Sequence, residues 1–159
     1  PEDGEIQAVL LTENNVSDDQ VVKELLGQIE QTIIDFAADG AYDKRKVYDS
    51  LNAHSPDVTI LIPPRKNARI WKHGNTKTER LKRDQNLRAI RKEGRKEWKK
   101  NSGYHVRSLV ETTMFRLKTI FGNELSARLL ATQTTQALIR CAALNKMTHL
   151  GMPHSYKVA

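Results

Sequence analysis

Cysteine is almost absent from this 159-residue, 18.1 kDa chain, and its one thiol, Cys141, cannot close an internal disulfide. The fold must therefore rest on packing. Cys141 lies in the apolar stretch LIRCAALNKM, where a buried structural thiol is expected rather than a nucleophile, and a reducing, cytoplasmic compartment follows. No apolar run approaches the roughly 18 residues needed to span a membrane, and the opening PEDGEIQ lacks the basic-then-apolar order of a signal peptide. A membrane partner is not expected. Internal repeats and low-complexity segments are also missing, and the five histidines (His54, His73, His105, His149, His154) show no metal-ligand spacing. What is present, 38% apolar and 28% charged residues, suits one soluble domain of ordinary size and excludes a purely disordered tail.

Charge is unevenly spread. Residues 1–62 carry 4 Lys/Arg against 13 Asp/Glu, whereas residues 63–159 carry 22 against 6. Within 65–100 alone, 15 Lys/Arg face 4 Asp/Glu, a net +11 over 36 residues. A short run of this kind is usually a solvated face, but this density points to a polyanion, and nucleic acid is the expected partner.

The apolar pattern alternates between strand and helix signals. Residues 4–11 (GEIQAVLL) are partly alternating and β-branched and follow the turn-like PEDG, so a strand leaving a hairpin is expected there. Its hairpin partner is not in the sequence, and the first residue is Pro rather than Met, so the chain is expected to be cut upstream. Ser17 introduces DDQVVKELLGQIEQ, an amphipathic helix with Val21, Val22, Leu25, Leu26 and Ile29 on one face. Residues 32–39 (TIIDFAAD) suit a strand buried on both faces, Asp43 can cap a helix over KRKVYDSLNAH, and residues 58–62 (VTILI) form a second buried strand stopped by Pro63-Pro64. Strand, helix, strand, helix, strand implies an α/β sheet with parallel neighbours. Residues 65–103 read as a basic insertion, helical over about 78–92, with Trp71 and Trp98 near its ends, each able to anchor the insertion or to stack on a base, anchoring being the expectation. Residues 104–150 are C-terminal helices, one over 104–120 and one over 126–150.

Two places could carry chemistry. In an open α/β sheet, reactive groups gather at the carboxyl ends of the strands, and Asp39 ends one strand with Gly40 behind it. A turn Asp before Gly is the plainer alternative. On a helix from Tyr104, residues Tyr104, Arg107, Glu111 and Lys118 fall within one 60° sector, at 100° per residue. Met114 and Phe115 flank that stripe and are expected to be buried, which would make it a site rather than a solvated face.

The spacing Tyr104-x2-Arg107-x3-Glu111-x6-Lys118 resembles the Tyr-Arg-Glu-Lys signature of bacterial insertion-sequence DDE transposases of the IS-four and IS-five type. LTENNVSD resembles the loop after that family's third strand, and ADGAYD is similar to the segment around its second catalytic Asp; IPPRKNAR, WKKNSGYH and ALNKMTHLGMP add to a likeness that spans essentially the whole chain. The resemblance implies a ribonuclease-H-like fold in which three carboxylates hold two divalent ions, Mg²⁺ or Mn²⁺. Asp39 would be the second Asp and Glu111 the Glu, both catalytic and metal-binding. Tyr104, Arg107 and Lys118 would contact DNA, and Arg65, Lys66, Arg69 and Lys72 of the basic segment are expected to grip phosphates. Double-stranded DNA, as transposon ends and target, is the implied partner, with a homodimer or larger assembly and a cytoplasmic, nucleoid-associated location.

One departure qualifies the likeness. The family's first Asp belongs on the first strand, upstream of GEIQAVLL, and Asp3 sits in a turn that cannot replace it. The expectation is an incomplete ribonuclease-H-like α/β domain that does not transpose by itself. A nucleic-acid-binding module without catalysis, and a nuclease of that fold that cuts without joining, remain as alternatives.

Overall fold

The computed structural model describes residues 4–73 and 79–151. Asp3, the start of the expected helix at Thr78, and the tail from residue 152 with His154 lie outside the described residues. The chain forms two compact units, Asn14–Arg107 in one, Pro1–Glu13 with Ser108–Ala159 in the other.

The unit Asn14–Arg107 is built on two parallel strands, β1 (Asp35–Ala37) and β2 (Thr59–Leu61), in the register Asp35↔Thr59, Phe36↔Ile60 and Ala37↔Leu61. Parallel neighbours need a crossover, supplied by helix α2 (Arg45–His54). The alternation of a strand then sorts the side chains. Phe36 and Ile60, with Ala38, Val58 and Ile62, pack against Val47, Tyr48 and Leu51 of α2 and against Val22 and Leu26 of helix α1 (Val22–Leu26). Ala37 and Leu61 face the other way, onto Trp98, Tyr104, Ala89 and Ile90. That second layer is helix α3 (Lys82–Glu93) and helix α4 (Arg95–Asn101), separated by Gly94, whose φ of +87° breaks the helix where a side chain would be strained. The basic segment therefore covers a face of the sheet, and both tryptophans anchor it: Trp98 is buried, and Trp71 meets Tyr48 edge-on with ring centres 5.4 Å apart.

Several elements differ from their sequence patterns. The strands are three residues long, and the first is not buried on both faces. Ile33 packs on the core whereas Ile34 is 77% exposed, because pairing and its alternation begin only at Asp35. The helix after Ser17 is shorter: a 3-10 turn (Asp18–Gln20), in which Gln20 Oε1 accepts from the Ser17 N–H at 3.2 Å, precedes α1. Beyond Gly27, a poor helix former, Gln28 and Ile29 bond to carbonyls three residues back. Asp43 does not cap α2; Lys44 holds the N-cap position, and Asp43 accepts a fork from Arg83 instead.

Where α2 ends, Ser55 is fully buried and its hydroxyl closes the helix onto the strand before it. Ser55 Oγ accepts the Ile33 N–H at 2.8 Å and lies 2.8 Å from His54 Nδ1, whose Nε2 is 2.8 Å from the Ile29 carbonyl. The Ile29 carbonyl can only accept, so Nε2 carries the hydrogen and donates to it, and Nδ1 of the neutral ring accepts from the Ser55 hydroxyl.

The other unit holds helix α5 (Ser108–Phe121) and helix α6 (Leu130–His149), with Leu144, Cys141 and Thr113 buried. The thiol is thus interior, as its setting suggested. Residues 4–13 are not a strand. The Asn145 amide takes both polar groups of Ile6, accepting its N–H at 2.9 Å and donating to its carbonyl at 2.8 Å, which satisfies the backbone with a side chain in place of a neighbouring strand. Thr113 Oγ donates to the Gly4 carbonyl at 3.0 Å, and at Gly4 (φ +77°) a Cβ would stand 2.7 Å from that oxygen, so glycine is required. Among the described residues, no helix is long and apolar enough to cross a membrane.

Candidate functional site

Parallel strands leave a sheet on the same side, so the segments following β1 and β2 emerge together. Gly40 shows how close they run: a Cβ there would lie 3.1 Å from the Pro63 carbonyl oxygen. Asp39 stands at this edge with its side chain half exposed. One carboxylate oxygen, Oδ1, accepts the Ala41 N–H at 2.8 Å and so caps the 3-10 turn Gly40–Tyr42. The other, Oδ2, faces Arg107 Nη2 at 3.9 Å. Asp39 is thus both a turn residue and a strand-end carboxylate beside a cation, which joins the two alternatives its sequence setting left open. Burial, and after it the carboxylates of Asp18 and Asp39, push the Tyr42 phenol above its ordinary value.

Arg107 ends a second 3-10 turn, Tyr104–Arg107. This turn replaces the first part of the helix expected over 104–120, so the single stripe projected from Tyr104 does not exist; regular α-helix begins at Ser108. Tyr104 is buried, its ring 5.8 Å from Trp98 and 5.0 Å from the Lys99 ammonium. Buried aromatic contact holds the turn from which Arg107 reaches Asp39. Glu111 and Lys118 belong to α5, in the other unit, and both are exposed. Their apolar neighbours are exposed too: Phe115 at 70% and Met114 at 44%, contrary to the expectation that they would be buried. An apolar residue beside a charged stripe is buried only if another element packs on it, and helical spacing alone does not supply that element.

The basic segment is more divided in purpose than its net charge suggests. Lys82 Nζ donates to the Pro56 and Val58 carbonyls, each at 2.7 Å, Arg91 to Ala68 at 2.9 Å, and Arg95 to Pro64. Arg83, only 3% exposed, forks onto Asp43 at 2.7 and 3.0 Å and donates to the Arg69 carbonyl at 2.8 Å. These cations satisfy the carbonyls of irregular chain around β2. Arg65, Lys66 and Arg69 are exposed just past the strand end, and Lys72 is half-buried near them, its ammonium 3.5 Å from the Glu79 carbonyl. The structure thereby brings Asp39, Arg107 and the start of the basic segment to one sheet edge.

The pairing of Asp43 with Arg83, and the burial of Arg83 and Asp84, are not evident from the sequence pattern. Asp84 is 1% exposed and accepts the N–H groups of Trp71 and Lys72, both at 2.9 Å. An isolated acid inside a strongly basic run was the one available signal, since a lone carboxylate there is most stable when paired.

A carboxylate such as Asp39 is a hard oxygen donor of the kind that Mg²⁺ or Mn²⁺ takes, and its side chain is half exposed. Among the described residues, no group of three or more His, Cys, Asp or Glu side chains could hold a metal ion. Asp39 therefore fits as one ligand and not as a complete site. No solved structure matches the chain. Residues 1–146 match a family described as the transposase DDE domain, the class to which the Tyr-Arg-Glu-Lys spacing and the Asp-Gly segment had pointed. With all but the last 13 residues matched, the chain belongs to the transposase DDE domain family.

Proposed function

We propose that these residues form part of the catalytic domain of an insertion-sequence transposase of the IS-four or IS-five type, with a ribonuclease-H-like sheet, that cuts and joins double-stranded DNA at transposon ends and target. DDE transposase domains act on DNA and normally use divalent metal ions. The observation that carries the proposal is the strand-end carboxylate of Asp39, half exposed and faced by Arg107 at 3.9 Å at the edge where the basic segment begins. Asp39 and Glu111 serve as metal-ligating carboxylates. The ions supply activation of the attacking oxygen and stabilisation of the leaving one in an in-line phosphoryl transfer. Arg107 orients the free oxygen of Asp39 and offers phosphate the fork that guanidinium presents, while Tyr104 holds its turn from below. Arg65, Lys66, Arg69, Lys72 and Lys118 bind the DNA backbone, and pairing of two DNA ends calls for a dimer or larger assembly.

The test is a transposition assay with a transposase that contains these residues. Asp39→Asn and Glu111→Gln should each abolish cleavage and joining, by at least about 10³-fold, while duplex binding stays within about threefold. Unchanged products in both variants would contradict the assignment, and cut but unjoined DNA from the parent would assign a nuclease instead.

A second reading, a DNA-binding module without catalysis, draws on the Asp39 Oδ1 bond to the Ala41 N–H, which gives that carboxylate a structural task. It predicts that both variants leave every DNA transaction unaltered.

A further inference from the structure

Arg83 lies in the middle of the most basic stretch of the chain, yet it is 3% exposed and makes no approach to solvent. Its contacts run in three directions. The guanidinium forks onto Asp43 at 2.7 and 3.0 Å, donates to the Arg69 carbonyl at 2.8 Å and lies 4.0 Å from the centre of the Trp71 ring. Its sequence neighbour Asp84 accepts from the backbone of Trp71 and Lys72 and lies 3.4 Å from Arg83 Nη1. Arg45 sits over the same indole at 4.9 Å.

The two ends of this knot are functional in character. Asp43 directly follows the turn Gly40–Tyr42, which Asp39 caps, and Arg69 and Lys72 are two of the cations of the loop after β2. We propose that Arg83 is a positioning residue: it makes no DNA contact, but locks the Arg69–Lys72 loop to the Asp39 turn so that phosphate-binding cations and a strand-end carboxylate keep a fixed relation. Its effect on DNA rests on the function proposed above; its effect on the loop does not. Lysine cannot replace it, because an ammonium is a point charge that cannot fork onto Asp43 while also donating to Arg69 and covering an indole face.

The experiment uses the 159-residue chain in a Trp98→Phe background, so that Trp71 is the only indole. Arg83→Met and Arg83→Lys should each shift Trp71 emission to longer wavelength and raise its quenching by acrylamide at least twofold. If Arg83→Met does not fold, Asp43→Asn, which keeps the shape and removes one charge, must give the same response in weaker form. Binding to a 30-base-pair duplex is then measured against salt. Arg83→Met should weaken binding by about the factor seen for Arg69→Ala with Lys72→Ala, flatten the log–log salt slope by about 2, and add less than twofold when combined with that pair. An unchanged Trp71 signal in all three variants, or multiplicative losses in the triple variant, would overturn the proposal, the latter by showing a direct phosphate contact. If the parent chain binds no duplex, the function proposed above fails, and the Trp71 response alone decides the positioning role.

Discussion

Ser55→Ala tests how the end of α2 is held. The hydroxyl is fully buried and serves two partners, the Ile33 N–H and His54 Nδ1, both at 2.8 Å. Alanine leaves one backbone donor and one imidazole nitrogen without partners. Each unsatisfied buried group costs about 1–3 kcal/mol, and because Ile33 and His54 are only half-buried the lower part of that range applies, giving about 2–3 kcal/mol in all. With a urea dependence of about 2 kcal/mol per molar, the unfolding midpoint should fall by about 1 M. His54→Ala is the control: it keeps the Ile33–Ser55 bond, loses the contact to Ile29, and should cost about 1 kcal/mol. Because the two variants share one bond, their effects should fall short of additive. A Ser55→Ala midpoint within about 0.2 M of the parent, with an unaltered slope, would refute this account of the helix end.

Asp19 is buried against Lys46 at 3.0 Å and Lys44 at 3.8 Å; the hydrogen bond from the Ser17 hydroxyl, against the opposing effect of burial, and then the two lysines hold its carboxyl below its ordinary value. A depressed value means a stabilisation fully present above about pH 4 and lost as pH falls through the folded-state value, so Asp19→Asn should flatten the acid limb of stability measured by denaturant titration. Burial raises the Cys141 thiol, and it is only 8% exposed, so a thiol reagent at pH 7 should modify it at the rate of unfolding or local opening, and fast stoichiometric labelling in the native state would contradict that placement. Asn145→Ala removes both bonds to Ile6 and should raise amide exchange across residues 4–13 at least tenfold with little change in α6, a contrast that exchange mass spectrometry resolves.

The parts of the fold governed by local pattern were legible in the sequence. VTILI and the apolar residues of TIIDFAAD became a parallel pair, Val47 and Leu51 fell on the buried face of α2, and both tryptophans proved to be anchors. What failed depended on partners distant in sequence. GEIQAVLL has strand composition, but its backbone is claimed by Asn145, 139 residues away, and Asp43 has the position of a cap but is claimed by Arg83, 40 residues away. The same holds for the site. The strand-end position of Asp39 was legible in the pattern, whereas the 3-10 turn that breaks the Tyr104 stripe, the burial of Arg83, and the hydrogen bonds of Lys82, Arg91 and Arg95 to backbone carbonyls follow from packing that no spacing encodes. Charge density marked the basic segment; which of its cations bond to backbone carbonyls depends on the packing around β2.

The central claim, that Arg65, Lys66, Arg69 and Lys72 of the loop after β2 bind the backbone of DNA, is tested most directly by the salt dependence of duplex binding by this chain. These four contacts alone contribute about −3.6 to the log–log slope, so the chain's slope should be at least that steep, with a loss of about 100-fold or more in affinity between 50 and 200 mM salt, and it should fall by about 0.9 for each of these cations replaced by alanine. Binding that is absent, or indifferent to salt, would contradict it.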